Sequence, residues 1–180
     1  MRLGFVAAAA LALSACTTIA GPADHPEATP FAVSGDAMTR VDAALAAAGQ
    51  ADKRVLLVTG ANWCHDSRAL AGWLESDRFA PLLAENYEVV YVDIGMPQTD
   101  DGKNLDVPER FGHKQDGTPN LLVLAPDGTL VNGDTAASWR NSAARSGDAI
   151  YAELADLARR APVLGVGQDI VGPVGDEVAE

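Results

Sequence analysis

Two cysteines, Cys16 and Cys64, are all that the 180 residues contain. That excludes a framework of several disulfides, and the spaced Cys/His pairs of a structural zinc site are missing too. Basic residues are also scarce: 13 Lys and Arg stand against 25 Asp and Glu, for a formal net charge of −12. No run of positive charge is present to neutralise phosphates, so nucleic acid is set aside as a partner. Long apolar runs are absent except over residues 3–13, a stretch too short to cross a bilayer as a mature helix. What remains is an ordinary globular composition, 48% hydrophobic and 21% charged. The length fits one domain with tails, and a core of about 120 residues is large enough to be stable without staples.

The N-terminus has a pattern of its own. Arg2 precedes the Ala-rich apolar run, and Leu13-Ser14-Ala15-Cys16 follows it. This resembles the lipobox of bacterial lipoproteins. The resemblance implies that residues 1–15 are a removed signal peptide and that Cys16 is lipidated and becomes the mature N-terminus. It implies a lipid-anchored place in the cell envelope, on the periplasmic face. Thr17 rather than Asp at the next position implies the outer membrane in a cell with two membranes. The alternative is a plain secretory signal cleaved nearby. On the lipoprotein reading, Cys64 is the only free thiol.

Beyond Cys16 the chain divides readily. Residues 16–35 hold Pro22, Pro26 and Pro30 without hydrophobic period and read as a flexible tether, with a possible edge strand near Phe31. Asp36 is placed to cap a helix carrying Met38, Val41, Leu45 and Ala48 at helical spacing, with Gly49 as its stop. Residues 54–59 are a continuous Val/Leu run, the signature of a strand buried on both faces. Residues 67–86 read as helix in two pieces, with apolar faces Leu70, Trp73, Leu74 and then Phe79, Leu82, Leu83. Pro81 suits the first turn of the second piece if Asp77 caps it. Residues 88–94 form a second strand and 107–111 a short helix. Residues 121–124 and 129–131 form a hairpin around Pro126-Asp127-Gly128. A last helix spans 146–160, and the Gly/Pro-rich residues 161–180 read as a disordered tail.

The chemistry centres on Gly60-Ala61-Asn62-Trp63-Cys64-His65-Asp66-Ser67. A strand feeds into it and a helix leaves it, so Cys64 stands where a helix begins. The first amides of a helix have no intrahelical partner and carry about half a positive charge, which favours a thiolate and predicts a thiol pKa below about 8.5. A protonated His65 would reinforce that effect and Asp66 would oppose it. Ser67, three positions on, either turns its hydroxyl to the sulfur or is simply a polar residue of the first turn. The bland alternative for Cys64 is a small buried hydrophobe. Cys64, His65 and Asp66 are adjacent and rarely converge on one ion, so no metal is expected. The cluster Asp100, Asp101, Asn104 and Asp106 lacks the spacing of a calcium loop and reads as solvated.

Trp63-Cys64-x-x-Ser67, together with Gly117-Thr118-Pro119 ahead of the apolar run 121–124, resembles the thioredoxin superfamily over residues 36–160. The resemblance implies an α/β fold, a three-layer sandwich around a central mixed sheet. It implies that Trp63 flanks a client groove. Thr118 and Pro119, with Pro119 in a cis peptide, lie against the cysteine and offer backbone hydrogen bonds to an extended client. The loop holding His113 and Lys114 would face the cysteine; an exposed loop histidine is the plainer reading. Two positions depart from the family: Ser67 replaces the second cysteine, and Val58 occupies the place of a buried aspartate. A site without its own resolving thiol needs an external one to release a mixed disulfide. The expectation is a membrane-anchored protein using Cys64, with Ser67, in thiol–disulfide exchange of the isomerase or monothiol reductase type. Its partners would be protein or small-molecule thiols and disulfides, without a cofactor. The alternatives are a non-catalytic thioredoxin-like binding module and, more remotely, a monothiol peroxide or sulfenic-acid reductase.

Overall fold

The computed structural model describes residues 25–32 and 36–161. The signal read over 1–15, Cys16, the tether up to residue 24 and the tail beyond residue 161 lie outside the described residues. No helix among the described residues is long and apolar enough to cross a membrane.

The elements run α1 (Ala37–Ala51), β1 (Arg54–Gly60), α2 (His65–Leu74), α3 (Ala80–Asn86), β2 (Tyr87–Asp93), α4 (Asp106–Arg110), β3 (Asn120–Leu124), a 3-10 helix (Ala136–Ala144) and α5 (Gly147–Leu157). The sheet order is β2-β1-β3, with β1 parallel to β2 and antiparallel to β3. Central β1 is buried on both faces, which is why its sequence is continuous rather than alternating. Leu56 and Val58 face a core built with Leu70, Phe79, Trp139, Ile150 and Leu154. Val55 and Leu57 face the other core, with Val41, Ala48, Val92, Ile94 and Val107. α2, α3, α5 and the 3-10 helix therefore cover one face and α1 and α4 the other, giving the three-layer α/β sandwich.

Local chemistry sets the element ends. The Asp36 carboxylate accepts from the Thr39 amide at 2.6 Å and starts α1. Gly49 does not end that helix: α1 continues to Ala51, and Asp52 takes the left-handed conformation with φ 52°, donating its N–H to the Ala48 carbonyl. Phe79 rather than Asp77 precedes α3, with Pro81 in the first turn, where its missing N–H costs nothing. Ser146 Oγ accepts from the Ala149 amide at 3.2 Å and starts α5.

The second arm of the expected hairpin is reduced to a single bridge, Leu124 to Leu130. Two backbone bonds, Ala125 N–H to Thr129 O at 2.9 Å and Val131 N–H to Val123 O at 2.8 Å, continue the β3 edge. Asn132 then replaces the backbone. Its side-chain Oδ1 accepts from the Val123 amide at 2.8 Å and its Nδ2 donates to the Leu121 carbonyl at 2.9 Å. A side-chain amide thus stands in for a strand's peptide group where the chain has turned away.

Residues 25–32, read as part of a flexible tether, instead form a strap packed on α2. The Ala28 amide donates to the Arg68 carbonyl at 3.1 Å, and the Phe31 amide to Asn62 Oδ1 at 3.1 Å. Phe31 is buried in the core rather than placed on a sheet edge. Gly72 permits the approach: a Cβ there would lie 2.2 Å from the Pro26 carbonyl oxygen. Burying a Phe contributes about 1.5–3 kcal/mol, which a polar tether would not supply.

Candidate functional site

β1 delivers Gly60 to the top of the sheet, and Ala61, Asn62 and Trp63 turn the chain into α2. Cys64 is the residue that precedes the helix, with extended φ −82° and ψ 123°. Among the described residues no side chain caps this end, and Cys64 stands at the positive end of the helix dipole. Cys64 is 9% exposed, and its S–H donates to the Thr118 carbonyl at 3.5 Å. The Thr118–Pro119 peptide is cis. The loop before β3 therefore lies directly against the cysteine.

Ser67 is not turned to the sulfur. Its hydroxyl pairs with the Thr118 hydroxyl at 2.7 Å and accepts from the Ala61 amide at 3.3 Å, fully buried. The absence of a side chain at Gly60 makes room for it, since a Cβ there would sit 2.8 Å from Ser67 Oγ and 2.6 Å from the Phe31 ring. Ser67 thus braces the proline loop against the strand end. Asp66 also points elsewhere: its carboxylate accepts from the Ala143 amide at 2.9 Å and ties α2 to the 3-10 helix.

Val58 is fully buried in apolar surroundings, and no carboxylate is among the buried polar side chains of the described residues. The buried polar groups behind the proline loop are neutral instead. The Thr59 hydroxyl donates to Gln115 Oε1 at 2.9 Å, and Gln115 in turn donates to the Gly117 carbonyl. Arg140 Nε donates to Asn120 Oδ1 at 3.0 Å, and the Arg140 guanidinium also holds Asp116. With Oδ1 so occupied, Asn120 presents its Nδ2 donor to His113 Nε2 at 2.8 Å. His113 must therefore accept at Nε2 and carry its proton on Nδ1. It is half-buried in this network rather than facing the thiol.

Burial, reinforced by the Arg140 cation, lowers the His113 pKa below the usual histidine value. A folded-state value below the unfolded one means that the unfolded chain binds the proton more readily. The His113 contribution to stability is complete above about pH 6.5 and is lost as pH falls through the lower folded value. We expect the urea midpoint to fall between about pH 7.5 and about pH 5, and His113→Gln to flatten that fall. An unchanged slope in the variant would place the proton uptake elsewhere.

Arg68 and Glu27 carry no recognisable sequence signal. Arg68 Nη1 donates to the carbonyls of Asn62 at 3.2 Å and Trp63 at 3.1 Å, holding the turn before Cys64 in shape. Its Nε binds Glu27 on the strap at 3.0 Å, and that pairing holds the Glu27 carboxyl below its usual range. His65 is exposed and lies against His25 and Glu27, its Nε2 at 3.0 Å from His25 Nε2 and 3.6 Å from Glu27 Oε1. Those three are the described residues placed to share a metal ion. Cys64 and Asp66, which the sequence sets beside His65, are not among them.

Trp63 is half exposed, with its indole N–H donating to the Gly95 carbonyl at 3.2 Å. It walls a groove of about 460 Å³ lined also by Phe31, Asn62, Asp93 and Met96. Trp63 and Met96 are the two exposed large hydrophobic side chains of the described residues, and both line this groove.

A family profile described as "Thioredoxin-like" matches residues 36–126, half of the chain. The chain is also similar to the crystal structure of a disulphide isomerase from Xylella fastidiosa Temecula1. Identity is 34% and the TM-score 0.64, over 72% of this chain and 97% of that one. The chain belongs to the thioredoxin-like family. No curated protein matches it. Within this thioredoxin-like domain the profile's lower limit at residue 36 leaves out the strap, although Phe31 completes the core beneath the cysteine turn. The profile's upper limit at residue 126 also leaves out Arg140, which fixes the polar network of the proline loop.

Proposed function

We propose that this chain carries out thiol–disulfide exchange with polypeptide clients, using Cys64 as a lone nucleophile. The observation that carries the reading is the placement of the Cys64 sulfur, at the open N-terminus of α2 and against the Thr118 carbonyl next to Pro119. The Xylella protein described as a disulphide isomerase supports the same class of reaction.

The step balances without an outside oxidant. The Cys64 thiolate attacks one sulfur of a client disulfide, a new S–S bond forms, and the client's other sulfur leaves as a thiolate. A different client thiolate then attacks the client sulfur of the mixed disulfide and returns Cys64 as thiolate. The client's pairing has changed while its total of disulfides has not, which is isomerisation. Ser67 supplies no sulfur and is committed to Thr118, so the site itself has no means of early release. When glutathione attacks the Cys64 sulfur of the mixed disulfide instead, the client leaves with both thiols free, and a second glutathione then returns Cys64 as thiolate and leaves as oxidised glutathione, which is monothiol reduction. The groove beside Trp63 and Met96 would take an apolar client side chain, and the edge at Thr118 and Pro119 would take its backbone. Lipidation at Cys16 would hold the domain at the periplasmic face of the envelope and leave Cys64 as its free thiol.

No buried carboxylate stands behind Cys64 among the described residues, which favours a second reading, a module that holds clients in the groove without turnover. Incubation of the reduced protein with a client of scrambled disulfides separates the two. We expect a one-to-one mixed disulfide that glutathione resolves, with faster return of native pairing. Client binding without any covalent adduct would leave the binding module standing.

A further inference from the structure

The chain has three histidines, and two of them, His25 and His65, meet on the surface beside the cysteine turn although 40 residues separate them. Their Nε2 atoms are 3.0 Å apart, and Glu27 Oε1 lies 3.6 Å from that of His65. The three candidate ligand atoms all fall within 4.8 Å of one another. We propose that His25, Glu27 and His65 form a binding site for a divalent transition metal of the zinc or copper class.

Several observations converge on this site. Two imidazole nitrogens at this separation repel unless one donates a proton to the other or both give lone pairs to a cation. Ligands held at about 2.0–2.1 Å from one ion lie about 3.3 Å apart, close to the His–His spacing already present. Small rotations of exposed side chains bring the carboxylate in. Glu27 is already oriented: Arg68 holds Oε2 at 3.0 Å and leaves Oε1 towards His65, the outer-shell arrangement that steadies a metal-binding carboxylate. His25 Nδ1 faces the Pro26 carbonyl at 3.4 Å, a contact that suits the tautomer with its proton on Nδ1 and its lone pair on Nε2. The backbone carrying these groups is fixed, because the strap is bonded to α2 through Ala28 and pressed on Gly72. Two imidazoles and one carboxylate select zinc or copper(II) over calcium or magnesium, which favour oxygen. With the His65 side chain 60% exposed and that of Glu27 43%, a remaining position faces water. The ion would fasten the strap to the residue that follows Cys64.

This inference stands apart from the exchange reading, and its test reads metal rather than thiol chemistry. The chelator-treated full chain is titrated with Zn²⁺, Cu²⁺ and Ca²⁺ by calorimetry. We expect one Zn²⁺ or Cu²⁺ per chain and no Ca²⁺. His25→Ala, His65→Ala and Glu27→Gln should each weaken binding about tenfold or more. Cys64→Ser and His113→Gln should bind as the unaltered chain does. All five side chains are peripheral to the core or conservatively replaced, and circular dichroism checks that each variant is folded. Absence of Zn²⁺ and Cu²⁺ binding overturns the proposal. So does binding that survives loss of both His25 and His65, or binding that disappears with Cys64→Ser, which would put the ion on the thiol.

Discussion

Cys64→Ser is expected to abolish covalent capture of disulfide clients while leaving the fold and the groove intact. The argument is chemical before it is structural. A hydroxyl cannot form a disulfide, and Ser67 already shows that a serine in this turn serves as a hydrogen-bonding brace. Serine is nearly the size of cysteine, and its hydroxyl can take over donation to the Thr118 carbonyl, now made by the thiol at 3.5 Å. Loss of stability should therefore stay within about 1 kcal/mol, as for most substitutions that open no cavity and strand no polar group. Two readouts on one sample check this, gel mobility of the client adduct without reductant and a urea denaturation curve. An adduct that persists in the variant would remove Cys64 from the chemistry. Loss of the adduct together with loss of the fold would mean that the cysteine serves packing first.

Asn132→Leu is expected to be the most damaging single change outside the site, costing about 2–5 kcal/mol. Leucine matches the buried surroundings and nearly matches the volume, so intuition from hydrophobicity alone would rate it mild. The cost arises from what it strands. The Val123 amide and the Leu121 carbonyl lose the side-chain amide that bonds them at 2.8 and 2.9 Å, and both lie in a fully buried strand. Each buried backbone group left without a partner costs about 1–3 kcal/mol. β3 leads directly from Pro119, so the damage should also reach the thiol, seen as faster alkylation of Cys64 below the unfolding midpoint. A Leu variant as stable as the parent would show that water or a backbone shift replaces the amide.

The sequence is most legible where one periodic pattern decides the outcome. Continuous burial of residues 55–58 marks the central strand, and Ile150, Leu154 and Leu157 mark α5 with its Ser146 cap. The resemblance to the thioredoxin superfamily implies that the Trp63-Cys64 turn and the Thr118-Pro119 segment meet, and the Cys64 thiol does lie against the Thr118 carbonyl. What escapes are contacts made by single polar residues across the fold. Arg68 on two carbonyls, Asn132 on a strand edge and Asn120 between Arg140 and His113 leave no period and no spacing to read. The 3-10 helix escapes for another reason. Its one large apolar residue, Trp139, is buried alone among Ala and Ser, so it shows no amphipathic stripe. The strap was hidden by its prolines, which mark irregular backbone correctly but do not say whether that backbone is free or packed.

The strap's seating gives the molecule a mechanical property. Residues 25–32 join the domain at α2, through Ala28, Glu27 and the bare face of Gly72, before the chain reaches α1. A pull on the chain ahead of His25 is therefore borne first by the helix whose leading end holds the thiol, and by the Phe31 ring wedged beneath Gly60. Tension along the leader and the posture of the cysteine turn are set by the same few contacts. A molecule tugged from its N-terminus would pass that force through the strap to the helix that begins at Cys64.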